Sequence, residues 1–222
     1  MTTIAPASAA GPAAWISRHA PAVLFATALL TAIPVWWLIA VPVLGGAPAR
    51  LARHLGHVPW VYVHALAGTV MLFSGALALW IGWTRRMFTF HRWAGGTYLV
   101  TGSVTALAAL WLTVINIHKD VALSSATGAL AAAWLLTASM AFRAIRNRRI
   151  ETHKEWVIRS YVLTWSFVFC RGLGELQLGI SQDVSNALLW LTWIGPLMIC
   201  EVALQWSNGG PRPVRARAQT EI

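Results

Sequence analysis

The sequence predicts an all-α membrane protein: six transmembrane helices in one bundle, with the second to fifth as its four-helix core. Three observations carry this. Of the 222 residues, 57% are hydrophobic and only 11% charged, where a soluble domain carries roughly twice that charged fraction. The apolar residues fall into runs that match the ~20 needed to cross a bilayer core. The basic residues behind the net charge of +10 lie mainly between those runs, as the positive-inside rule requires of cytoplasmic loops. Fourteen Trp add the indole content of a membrane interface.

Residues 1–19 read as a flexible tail, since Met1–Gly11 is Ala, Ser, Thr and Pro with no charged side chain and so lacks the basic n-region of a signal peptide. The transmembrane domain covers 20–206. Its first helix runs from about Ala20 to Leu44, kinked at Pro34 and ended by Gly45, Gly46 and Pro48. The second runs from Val58 to Trp83, the third from Trp93 to Ile115 after the Arg85–Arg92 turn, and the fourth from Val121 to Ile145. The fifth runs from Trp156 to Leu178 and the sixth from Val184 to Trp206. Residues 207–222 hold two Gly, two Pro and three Arg, a flexible basic tail.

Charge orients the bundle. Arg85, Arg86 and Arg92 lie between the second and third helices. Arg143, Arg146, Arg148, Arg149 and Lys154 lie between the fourth and fifth, and Arg212, Arg215 and Arg217 follow the sixth. An even count of crossings puts these segments on one side, opposite loops with only Arg50, Arg53 and Lys119. The rich side is expected to be cytoplasmic, with both termini inside and the chain in the bacterial inner membrane. The same distribution removes the usual reason to expect a nucleic-acid partner in a basic protein. Cys170 and Cys200 fall in apolar runs, towards opposite faces of the membrane, and read as small apolar fillers. No G-x-S-x-G or H-E-x-x-H motif occurs, so classical hydrolase chemistry lacks its residues.

Four of the seven His alternate along the chain. His64 is near the outer end of the second helix and His91 at the inner start of the third. His118 precedes the outer start of the fourth, and His153 the inner start of the fifth. Because successive helices reverse direction, His64 and His118 share the outer side, and His91 and His153 the inner. Facing imidazoles across a four-helix bundle are a way to ligate haem iron. A helix N-terminus favours the neutral imidazole that binds metal. His64-Ala65-Leu66-Ala67-Gly68 and His91-Arg92-Trp93-Ala94-Gly95 share an H-x-x-A-G pattern, and Gly one turn from a ligand leaves room for a flat macrocycle. Gly75 continues the His64–Gly68 face. The plainer alternatives are helix–helix contacts at the Gly and interfacial His that face water.

Arg171 and Glu175 lie four apart inside the outer half of the fifth helix. Ionisable residues there are costly and point to function. Arg171 could meet a haem propionate, a quinone oxygen or another anion, or the two side chains could pair with each other and fix packing. Arg159 could snorkel to the inner interface or join Arg92 on an anionic group. Glu201 sits one to two turns from the inner end of the sixth helix.

The stretch from His64 to His91-Arg92-x-x-Gly95-x-x-Tyr98, followed by His153-Lys154-Glu155-Trp156-Val157-Ile158-Arg159-Ser160-Tyr161 and Arg171, resembles a family of uncharacterised bacterial multipass membrane proteins known only as a domain of unknown function. The resemblance covers the second to fifth helices and implies a membrane bundle. The alternating His are also similar to those of the six-helix dihaem transmembrane cytochromes b. That similarity implies His64/His118 and His91/His153 as two pairs of haem b ligands, with Arg171 beside the cofactor. The spacing here is shorter, and no counterpart of a substrate-binding motif is visible. The expected function is b-type haem-binding electron transfer, a membrane oxidoreductase if it is an enzyme, with a quinone or other redox partner and membrane lipid around it. The alternatives are a small-molecule transporter built on Arg171 and Glu175, and a non-catalytic membrane scaffold.

Overall fold

The computed structural model describes residues 30, 33–34, 36–37, 41, 43–45, 56–84, 87–175 and 181–208, apart from the side chains of 167, 171–175, 182–183 and 207–208. Among the described residues there is no strand. Five long helices follow in order: α1 (Val58–Thr84), α2 (Phe88–Asn116), α3 (Val121–Arg146), α4 (Ile150–Glu175) and α5 (Gln182–Asn208). The first predicted crossing and the two tails lie largely outside the described residues. Within that crossing, Trp36 donates its Nε1–H to Thr69 Oγ1 at 2.8 Å and meets Phe73 edge-on, so this part of the chain rests on α1.

Local chemistry sets the helix ends. Gly56 turns the chain with φ +91°, and Pro59 falls in the first turn of α1, where a missing N–H costs nothing. Asp120 caps α3 by accepting from Leu123 N at 2.9 Å. Arg143 and Arg146 occupy its last turn, where cations suit the helix dipole. α2 and α4 begin five and six residues before their apolar runs, because hydropathy marks the bilayer edge and a helix can continue past it. His91 and His153 are therefore inside the first turns of their helices rather than ahead of them.

Three whole helices, α1 to α3, and the segment Val184–Trp206 of α5 are long and apolar enough to span a membrane. α4 is not among them, because Arg159, Arg171 and several hydroxyl residues interrupt its apolar run, and the described ones are largely buried. Ser160 and Ser166 are fully buried, and Arg159, Leu163, Thr164 and Val168 are nearly so. Consecutive helices pack on each other; α1 also touches α4, and α3 touches α5. A helix face buried against protein can carry polar groups that lipid would penalise. The neighbours show the complementary pattern: Leu66, Leu77, Val100, Leu107, Leu136 and Ile199 point outward. Much of the core is Ala, with Tyr98, Trp134 and Trp193 as its large members. Small residues inside and branched residues outside is how membrane helices approach closely. No disulfide joins Cys170 to Cys200.

Candidate functional site

The α1–α2 interface is a ladder with a seven-residue step. Gly68, Gly75 and Gly82 lie on one face of α1, and Thr105, Tyr98 and His91 on one face of antiparallel α2. A Cβ on Gly68 would stand 3.5 Å from Thr105 Cγ2, one on Gly75 2.7 Å from Tyr98 Cδ2, and one on Gly82 2.9 Å from His91 Cε1. The space beside Gly68 and Gly75 is thus taken by side chains of the neighbouring helices, which favours the helix-contact reading of these Gly. Gly95 does face open space.

Three of the four singled-out His hold helices together. His64 Nδ1 is 3.1 Å from Thr105 O, His91 Nδ1 is 2.9 Å from Ala78 O, and His153 Nδ1 is 2.9 Å from Ala141 O. A carbonyl has no hydrogen to give, so Nδ1 donates in each case. In the neutral ring this leaves the lone pair on Nε2. His91 clips α2 to α1, and His153 clips α4 to α3, the partners being 13 and 12 positions apart. The two helical hairpins thus carry the same device at the same end.

The structure does not bring His64 and His118 together. His64 lies level with Thr105, whereas His118 is exposed in the turn after α2 ends at Asn116. The eleven residues from Thr105 to Asn116 span about 16 Å, while two imidazoles on one metal ion stand roughly 4 Å apart, twice a metal–nitrogen bond. His91 and His153 are level with each other. Tyr98 Oη of α2 meets Ser160 Oγ of α4 at 3.1 Å. His91 lies seven residues before Tyr98, and His153 seven before Ser160, two turns along the same faces of two parallel helices.

Between these levels sits a buried polar cluster that sequence reasoning missed. Tyr98 Oη also meets Thr164 Oγ1 at 3.0 Å, and Trp134 Nε1 donates to both oxygens at 3.1 Å. The Trp134 ring lies directly against Gly102, and Tyr161 Oη donates to Leu72 O at 3.2 Å. The cluster ties α2, α3 and α4 with every named polar atom partnered, as a buried network must be. The signal was present in Tyr98, Ser160 and Thr164, hydroxyl residues within apolar runs.

Arg159 takes neither of its expected roles. Its Nε and Nη2 donate to Glu201 Oε2 and Oε1 at 2.8 and 3.1 Å, a two-pronged pair between α4 and α5. Nη1 is 3.6 Å from Glu155, and the guanidinium lies 4.8 Å from the Trp156 ring centre. Opposite charges near the same end of two successive helices were the available clue. The side chains of Arg171 and Glu175 lie outside the described residues. Among the described residues no group of three or more His, Cys, Asp and Glu converges as a metal site would.

A family model described as "Predicted membrane protein (DUF2306)" matches residues 61–204. That span takes in both helical hairpins, the polar cluster and the Arg159–Glu201 pair. Neither a curated protein nor a solved structure matches the chain.

Proposed function

The chain belongs to the DUF2306 family of predicted membrane proteins, and from that premise we propose an integral inner-membrane haem b protein with one site, between His91 and His153. The observation that carries the reading is the pair of Nδ1–H donations, His91 to Ala78 O and His153 to Ala141 O. A metal-ligating His characteristically donates its other ring N–H to a carbonyl or carboxylate, which fixes its tautomer and orientation. The matched level of the two residues supports their acting together. The outer pair, His64 with His118, is left out of the site because of its axial separation.

Six crossings are part of the proposal, with the helices α1 to α4 as the core bundle and both termini cytoplasmic. The Lys/Arg distribution supports it. The haem would supply one-electron chemistry; the chain's own residues orient the imidazoles and, through the Tyr98 cluster, close the bundle above them. A membrane-dissolved quinone is the partner class that a protein with so apolar a surface meets.

The test is an optical spectrum of the full-length protein purified after haem-replete expression. A Soret band that is lost in His91→Ala and in His153→Ala, and kept in His118→Ala, is the expected result. Absence of the band from the parent protein sinks the haem reading. The same hydrogen bonds favour one alternative, in which His91 and His153 only clip the hairpins of a non-catalytic scaffold. That reading expects no bound haem and a loss of thermal stability alone.

A further inference from the structure

We propose that Thr89, Arg92 and Trp93, at the start of α2, bind the phosphate of an anionic phospholipid whose acyl chain runs outward over Gly96. These three residues line a shallow surface pocket of about 340 Å³. The guanidinium of Arg92 supplies a fork of donors suited to phosphate oxygens, and no ion pair occupies it among the described residues. Thr89 adds a hydroxyl. Trp93 is 75% exposed, with Phe88 and Phe90 exposed beside it, the aromatic flank of a headgroup layer. The first turn of α2 holds no acidic residue, and Met87 ahead of it makes no side-chain cap. The positive end of the helix dipole adds to the charge of Arg92 there.

The strip above the pocket offers room for one acyl chain. Trp93, Gly96 and Val100 follow one another on one side of α2 at helical spacing, and all three are exposed. A Cβ added at Gly96 would meet nothing within 4 Å, so the helix surface dips between Trp93 and Val100. A zwitterionic headgroup would bring a cation for which the described lining, Thr89, Arg92 and Trp93, offers no carboxylate. An anionic headgroup brings only charge that Arg92 attracts. The inference does not depend on the haem reading, since neither His91 nor His153 lines the pocket.

Native mass spectrometry of the full-length protein in neutral detergent, titrated with phosphatidylglycerol or phosphatidylcholine of the same acyl chains, tests this. The parent protein is expected to retain one phosphatidylglycerol in preference to phosphatidylcholine. Arg92→Gln should weaken that binding about fivefold, the usual share of one basic residue at an anionic membrane surface. Gly96→Leu should weaken it without removing the charge, and Arg146→Gln should leave it unchanged. Helicity by circular dichroism checks that each variant is folded. Three results would overturn the proposal: equal retention of both lipids, retention unaffected by Arg92→Gln, or displacement of the lipid by excess inorganic phosphate alone, which would make the pocket a site for a free anion.

Discussion

Gly82 of α1 and His91 of α2 fit each other as socket and plug: a Cβ on Gly82 would come 2.9 Å from His91 Cε1, and the same ring donates to Ala78 O at 2.9 Å, one turn away. The glycine admits the ring and the carbonyl orients it. Seven residues further along each helix, Gly75 and Tyr98 repeat the arrangement with a larger plug. Packing of α1 on α2 and the orientation of a candidate ligand are therefore one feature.

Adding a methyl group to that socket should force the ring out. Gly82→Ala is expected to destabilise the protein by about 1–3 kcal/mol, the usual cost of overpacking. Gly102→Ala, against the Trp134 ring, should cost at least as much. Gly96→Ala, in open space, should be neutral or stabilise by up to about 1 kcal/mol through helix propensity. Thermal unfolding in detergent ranks the three, and equal effects would contradict the packing described.

Tyr98→Phe removes the hydroxyl shared by Ser160, Thr164 and Trp134. Trp134 keeps Thr164 as an acceptor, so the loss is partial, about 1–3 kcal/mol. Thr164→Val in the same background should add less than it does alone, because both substitutions cut one network. Additive losses would mean the hydroxyls act independently.

Arg159→Met leaves Glu201 without its main partner, and Glu201→Gln weakens the pair from the other side. The Glu201 side chain is 40% exposed, so each single substitution should cost about 1–2 kcal/mol, below the range for a fully buried pair. The double variant should cost less than the sum. Full additivity in a double-mutant cycle would remove the pair from the account of how α5 is held.

The orientation of the bundle is open to chemical labelling. In a background with Cys170 and Cys200 replaced by Ala, His118→Cys should react with a membrane-impermeant maleimide added to intact spheroplasts. Arg148→Cys should react only after lysis. The reverse pattern would invert the topology.

The metal reading separates the His by position. Loss of the Soret band in His64→Ala with retention in His91→Ala would move the site to the other end of the bundle. Loss in both would mean that the α1–α2 hairpin as a whole is needed.

The membrane class and the helical segments from Val58 onward were legible in the sequence. Both follow from local composition. Membership of the family was legible too, in the His91 and His153 motifs. The roles of Gly68 and Gly75 were not. A glycine stripe announces close approach but not the approaching partner, and here the partners are Thr105, Tyr98 and Tyr161 rather than an open slot. The Arg159–Glu201 pair and the Tyr98 cluster join residues 30 to 66 positions apart. Rotation of one helix about its axis decides whether such residues meet, and that angle is set by packing of all the helices at once.

The sequence by itself placed Gly68 and Gly75 on one face of α1 and His91 at the start of α2, because periodicity is a local property. Only the tertiary structure decided that the His91 imidazole turns its Nδ1 to Ala78 and its ring onto Gly82. That choice depends on the register between two helices, which is fixed by the fit of Thr105, Tyr98 and His91 together.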